Sequence, residues 1–309
     1  MESSGFTLNT TDQVAVFVYQ WFPEAGTRCK GVVQLIHGMA EHAGRYQYFA
    51  QALTAAGYLV YAPDLRGHGR TAGVVERTGY LADRNGWQLL VNDTYQLSRK
   101  IKGAHPGLPL FLFGHSMGSF LARHYISLHG TELQGVILCG SGGDPGLFGL
   151  MGRLLARWEC KRKGKRSRSK LLDRLSFGKY NNSFRPVRTA FDWLSRNQAA
   201  VDRYIADPFC GMVATAGFFA DLLSGIKLIH QPEMVSQIPK TLAVYFIAGD
   251  QDPVGKKTAG VREVVRSYQQ AGMEGVSCQF YRGARHELLH ETNRDEVIQA
   301  IINWLDDHI

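Results

Sequence analysis

The chain has 309 residues, 45% hydrophobic and 20% charged, a balance that fits an ordinary soluble globular protein and excludes a disordered one. Its net charge of +8 comes from 35 basic and 27 acidic residues, and seven of the basic ones lie in KRKGKRSRSK, Lys161–Lys170. Without that segment the chain is nearly neutral, which argues against nucleic acid as a partner and for one local basic surface or a solvated loop.

From the N-terminus, MESSGFTLNT has neither a basic start nor an apolar stretch, so no secretory signal is expected. No run reaches the ~18 apolar residues of a spanning helix. Val14–Phe22 alternates loosely. Gly31–Gly38, Tyr58–Asp64, Leu108–Gly114, Leu133–Gly140, Thr241–Asp250 and Val276–Tyr281 are short apolar runs suited to strands covered on both faces. Amphipathic stretches lie between them, roughly Tyr46–Ala56, Gly86–Lys102, Ser119–His129, Gly260–Ala271 and Asp295–His308. The alternation predicts a doubly wound, mostly parallel α/β sheet. From 144 to 239 only helical patterns appear, too long for a crossover, and this segment reads as a helical cap inserted into a core of 1–143 and 240–309.

The five cysteines (Cys29, Cys139, Cys160, Cys210, Cys278) are widely spaced and form no C-x-x-C pair. They predict reduced thiols in a cytoplasmic setting and no metal site.

At the seam between Leu110–Phe113 and the next helix stands Gly114-His115-Ser116-Met117-Gly118. A Gly-x-Ser-x-Gly pattern there makes a strand-to-helix turn so tight that Cβ atoms at the two glycines would collide. The serine is raised above the sheet, and the helix aims its first N–H groups at the same point. The competing reading is a plain helix N-cap. A serine nucleophile needs a base and an orienting acid, and in such sheets both follow it, each after a late strand. YFIAGDQDPVG supplies Asp250 and Asp252. Asp252, deeper in the loop, is favoured as the acid, with the other carboxylate capping a helix from about Val254. YRGARHELLHE supplies His286 in a loop before a helix carrying Glu287 and Glu291, with His290 packing one turn later. His37-Gly38 permits a sharp turn that frees the Met39 amide, which joins that of Met117 as an oxyanion hole. Asp64, Arg66 and His68 are expected to brace the floor of the site.

With HGMAEHAGRY, DLRGHGRT, GHSMGS, DPVG and RHELLHE in this order, the chain resembles the serine α/β hydrolases, in particular the monoacylglycerol lipase and lysophospholipase branch. The segment SFRPVRTAFDWLSRNQAAVDRYIADPFCG is similar to that of bacterial lysophospholipase-like proteins, whereas the Lys161–Lys170 run has no counterpart in the general pattern. The resemblance implies an α/β-hydrolase fold and ester hydrolysis by acyl transfer. Ser116 matches the nucleophile, Asp252 the acid, His286 the base, and Met39 and Met117 the oxyanion amides. It implies no metal and no organic cofactor.

Gly146–Trp158 and Gly217–Ile229 are amphipathic: over a serine site they would form an acyl-chain tunnel for single-chain lipid esters, or, equally, bury an apolar face on the core as any cap must. The basic run beside them would draw the cap peripherally to anionic membranes. A small-ester carboxylesterase, a peptidase or a thioesterase is the alternative, and a non-catalytic binding protein a remoter one. A dehalogenase or epoxide hydrolase would need a carboxylate where Ser116 stands.

Overall fold

The computed structural model describes residues 2–309. In chain order it comprises β1 (Glu2–Asn9), β2 (Ala15–Phe22), β3 (Gly31–Ile36), α1 (Gln47–Ala55), β4 (Tyr58–Pro63), α2 (Gly69–Ala72), α3 (Gly86–Ala104), β5 (Leu110–His115), α4 (Met117–His129) and β6 (Gly135–Cys139). Then come α5 (Gly146–Lys163), α6 (Lys170–Phe177), α7 (Gln198–Ala206), α8 (Ala216–Leu228), α9 (Pro232–Ser236), β7 (Ala243–Gly249), α10 (Ala259–Gln270), β8 (Val276–Tyr281) and α11 (Arg294–Asp306).

One eight-stranded sheet has the order β1-β2-β4-β3-β5-β6-β7-β8. β1 pairs antiparallel with β2, and β2 with β4; every other pairing is parallel. Successive side chains of the central strands serve opposite cores. Leu110 and Leu112 pack with α3, α4 and α10, while Phe111 and Phe113 pack with α1 and α11. That two-sided burial is why these strands read as continuous apolar runs.

The N-terminal hairpin strand β1 escaped the sequence reading. Its outer face is exposed, so ESSGFTLN carries no burial signature. The expectation of two-sided cover fails for Val276–Tyr281. β8 is the far edge strand, and Ser277 and Cys278 are exposed.

The chain leaves β3 for β4 on one side and returns to β5 on the other. The carboxyl ends of β3 and β5 therefore flank a crevice, the place where open α/β sheets hold ligands. Ile36 and Gly114 are paired at that end, so the turns after both strands face each other. Helices α5–α9 are inserted between β6 and β7, and α6 and α7 among them border this crevice.

Candidate active site

Ser116 sits between β5 and α4 with φ 52° and ψ −120°, a positive-φ backbone that favours glycine. Close approach explains its flanking glycines. A Cβ at Gly118 would lie 2.7 Å from the His37 carbonyl, and one at Gly114 would lie 2.9 Å from the Ser119 Cα. The turn is pinned by Ser116 N–H donating to the Cys139 carbonyl (2.9 Å) and by the Ser119 hydroxyl donating to the Ser116 carbonyl (2.6 Å). Within Leu110–Leu121, Ser116 alone is partly open to solvent. Met117 is the first residue of α4, and a first-turn amide has no acceptor within its helix.

The turn after β3 is held at three points. Glu41 Oε1 accepts the Gly38 N–H at 2.6 Å. The buried His37 receives the Leu65 N–H on Nε2 (2.9 Å), so its Nδ1 carries the proton and donates to the Gly38 carbonyl (2.7 Å). Burial pushes the His37 pKa down to about 4, keeping that tautomer neutral. The Gly38 carbonyl and the Met39 N–H share one peptide plane, so fixing one aims the other the opposite way. Among the described residues the Met39 amide has no acceptor. Ala40, at φ 58°, is a strained residue whose carbonyl accepts from Gly211 N–H and from the Tyr204 hydroxyl, both at 2.9 Å.

His286 follows β8, and its Nδ1 lies 2.9 Å from Asp252 Oδ2, both groups being buried. Burial alone would depress the imidazole; the Asp252 carboxylate outweighs it and raises the pKa above the ordinary value. Asp252 Oδ1 accepts the Val254 N–H (2.9 Å), so this one residue both faces the histidine and ties its own loop. Asp250 does not cap a helix as expected. It accepts the Gly283 N–H (2.8 Å) across the sheet edge, and the next helix, α10, begins only at Ala259. A Cβ at Gly249 would meet the Ala284 and Arg285 carbonyls, so glycine there lets the two loops close together.

The expected helix carrying Glu287 and Glu291 is also absent. They bracket a short 3-10 turn, Leu288–His290, and each is claimed by an arginine. Arg45 binds Glu287 through two 2.7 Å bonds and Glu41 through one of 2.5 Å, a buried acid–base–acid chain under the site. Arg196 Nε donates to Glu291 (2.9 Å). His290 packs against Tyr46, as anticipated. Glu41, Arg45, Glu287 and Tyr204 escaped the sequence reading. The available signal was an acid three residues after a strand-end glycine, with an arginine four further on.

Ser116, His286, Gly38, Met39 and Ala40 line one cavity of about 300 Å³. Its apolar wall is Phe177, Phe191, Trp193, Leu194, Tyr204 and Met212. The Trp193 ring lies 5.1 Å from that of His286, and Leu194 accepts the Glu287 N–H (2.7 Å), so the 192–195 segment clamps the histidine loop. The wall thus comes from α6, the 190s turn, α7 and the 211–212 segment. α5 and α8 supply none of it, which overturns the acyl-tunnel expectation. Phe218, Phe219 and Leu222 of α8 pack into the main core together with Ala156 of α5, while Leu147, Phe148, Met151, Leu154 and Trp158 of α5 face solvent.

The DLRGHGRT motif braces the turn after β3 through Leu65, whose N–H donates to His37, and through His68, whose ring lies 5.0 Å from that of His37. Asp64 accepts the Ala43 and Arg70 N–H groups, and Arg66 reaches Asp12 and Asp93, away from the serine. The basic run is largely pinned: Lys163 pairs with Glu159, Arg166 stacks on Tyr80, and Arg168 donates to Val213.

A family model described as Serine aminopeptidase, S33 matches residues 27–293. The chain is 30% identical over 296 residues to the monoacylglycerol lipase of Mycolicibacterium smegmatis, covering 94% of this chain and 92% of that one. It is 29% identical over 304 residues to the human monoglyceride lipase, covering 96% and 89%. Superposed on a carboxyl esterase from Bacillus coagulans in complex with glycerol, it gives a TM-score of 0.92 at 28% identity, covering 100% and 99% of the two chains. With that match spanning both the β3 turn and the His286 loop, the chain belongs to the serine aminopeptidase S33 family and has the α/β-hydrolase fold.

Proposed function

We propose that the protein hydrolyses carboxylic esters of single-chain lipids, of the monoacylglycerol or lysophospholipid kind, through an acyl-enzyme on Ser116. The observation that carries this is His286, paired with the buried Asp252, lining the same apolar cavity as the strained Ser116. His286 Nε2 takes the Ser116 proton as Oγ attacks the ester carbonyl. The tetrahedral oxyanion is received by the Met39 and Met117 amides. His286 then protonates the departing alcohol, and water repeats the sequence on the acyl-enzyme. Asp252 holds the tautomer and stabilises the imidazolium. Losing one oxyanion donor costs ~2.7–4 kcal/mol of transition-state stabilisation.

The helical segment 144–239 acts as a cap over the crevice. On α5, Leu147, Met151, Leu154 and Trp158 form one solvent-facing apolar stripe, flanked by Arg157, Lys161 and Arg162. That pattern supports peripheral contact with an anionic bilayer. No helix among the described residues is long and apolar enough to cross a membrane. The unpaired cysteines support a reducing, cytoplasmic compartment.

A small-ester carboxylesterase is the second reading. The 300 Å³ cavity lies at the low end of the ~300–1,000 Å³ usual for ligand sites. A chain-length series of glycerol and nitrophenyl esters, with aminopeptidase and thioester substrates alongside, decides. Monoacylglycerols of medium or long chain turn over best under the first reading; a sharp optimum at two to four carbons replaces it with the second.

A further inference from the structure

The widely spaced cysteines carry no metal signal in the sequence, but folding brings one of them to two other donors. His42, Asp207 and Cys210 each offer one ligand atom, and these atoms lie within 4.8 Å of one another. We propose that they form a binding site for a divalent transition metal of the zinc class, joining the turn after β3 to the 207–211 segment.

The donor set of imidazole, carboxylate and thiol suits a borderline-soft ion, which takes all three at ~2.0–2.3 Å in a tetrahedron. Asp207 and Cys210 sit at the ends of a tight turn closed by Cys210 N–H donating to the Asp207 carbonyl (3.0 Å). This D-x-x-C spacing puts carboxylate and thiol on one side. Asp207 Oδ1 is occupied by the Phe209 N–H (2.9 Å), so Oδ2 is the atom left to coordinate. An outer contact of this kind orients a ligand before the ion arrives. Oδ2 now meets His42 Nε2 at 2.8 Å, and the pair opens by less than roughly 1 Å to admit an ion between them.

Asp207 brings the negative charge of the donor set, and Arg45 is neutralised by its pairing with Glu41 and Glu287, which leaves Arg203 as the other cation lining the same surface. On binding, the thiol proton passes to solvent, so uptake of the ion releases one proton. His42 and Asp207 also line a surface cavity of about 390 Å³, from which an ion reaches these two donors first, with Cys210 on the inner side and room for water as fourth ligand.

The consequence concerns the mouth of the Ser116 cavity. Gly211 already donates to the Ala40 carbonyl, and an ion at His42 and Cys210 fastens the same two segments a second time. Binding is read without any substrate, so its test does not depend on the proposed ester hydrolysis.

The full chain, stripped with chelator, is titrated with Co2+ and separately with Zn2+. The expected result is a thiolate-to-cobalt charge-transfer band saturating at one ion per chain, bleached by Zn2+, with Tm raised by Zn2+. Cys210→Ser abolishes the band and the Tm shift, Asp207→Asn weakens binding by roughly tenfold or more, and Cys278→Ser, at the exposed thiol, changes neither. No thiolate band in the parent chain overturns the proposal, and so does a band that survives Cys210→Ser.

Discussion

The hydroxyl of Tyr204 donates to the carbonyl of Ala40 over 2.9 Å, across 164 residues of sequence. Tyr204 is buried, and the Arg45 guanidinium lies 4.8 Å over its ring. Ala40 takes a backbone that costs an L-residue roughly 1 kcal/mol or more, and it stays there because Tyr204 and Gly211 hold its carbonyl. The Met39 peptide precedes it directly, so α7 orients an amide proposed to receive the oxyanion.

Tyr204→Phe removes one hydrogen bond worth about 0.5–1.5 kcal/mol and leaves the ring packing intact. We expect kcat to fall roughly 2–10-fold with KM nearly unchanged, because the loss is felt when negative charge develops. Steady-state kinetics on a short soluble ester, beside a thermal melt, separates this from general loosening. A purely structural tyrosine would lower Tm and leave kcat alone.

Ser116 carries opposed demands of stability and chemistry. Ser116→Ala keeps the positive φ and the fold, and it should remove activity by roughly 10⁴–10⁶-fold. Ser116→Gly is equally inactive but relieves the backbone, and it should raise Tm by roughly 2 °C. A Ser116→Ala enzyme that keeps a tenth of its activity when purified would end the serine mechanism. A glycine variant that melts lower than the alanine one would show that the turn stores no strain.

The histidines predict two pH effects of opposite sign. Asp252 raises the His286 pKa, and the base must be neutral to act, so the acid limb of kcat/KM should lie above pH 6.5. Asp252→Asn removes the carboxylate, moves that limb down and lowers kcat by up to ~10⁴. His37, His115, His124 and His290 behave otherwise, because burial pushes each down to about 4. Their folded-state values lie below the unfolded value of about 6.5, so the stability they contribute is full above pH 6.5 and drains as pH falls toward 4. His286, raised on folding, contributes below pH 6.5 and loses its share as pH rises through its folded value. His68 and His230, pushed down to about 3, and His105 and His129, also lowered by burial, act in the same direction, so the depressed imidazoles outnumber His286 and Tm declines on acidification from pH 7 to 4.5. A flat profile would mean that these imidazoles are not held neutral.

The sheet and the helices on its two faces were legible because two-sided burial writes apolar runs that periodicity can find. β1 and the one-sided exposure of β8 were not, since an edge strand needs no such pattern. That Ser116 and His286 stand in turns after strands and line one cavity was legible from turn chemistry at strand ends. The Glu41–Arg45–Glu287 chain was hidden because its members are 242 residues apart and charged residues ordinarily mark surface. The face that α5 turns to solvent was misread for a related reason. Amphipathicity says that a helix has an apolar stripe, and leaves open whether core, ligand or solvent lies against it.

That buried chain makes the last prediction. Side-chain exposure is 9% for Arg45, 3% for Glu41 and 5% for Glu287. Arg45 draws the Glu287 pKa below its usual range against the opposing effect of burial, so both carboxylates stay ionised around one cation. Arg45→Met leaves two buried negative charges without a counter-charge and should cost ~3–5 kcal/mol. Adding Glu287→Leu should recover a large part of that loss, because Glu41 keeps the Gly38 N–H and the Tyr46 hydroxyl as donors. The surface pair Lys102–Glu132, at 2.6 Å and 44% and 34% exposed, is the contrast: Lys102→Ala should change stability by only ~0–1 kcal/mol. Denaturant titration of the three variants checks the ordering. If Arg45→Met cost no more than Lys102→Ala, burial would not be what makes this chain matter, and the carboxylates would have to be neutral in the folded protein.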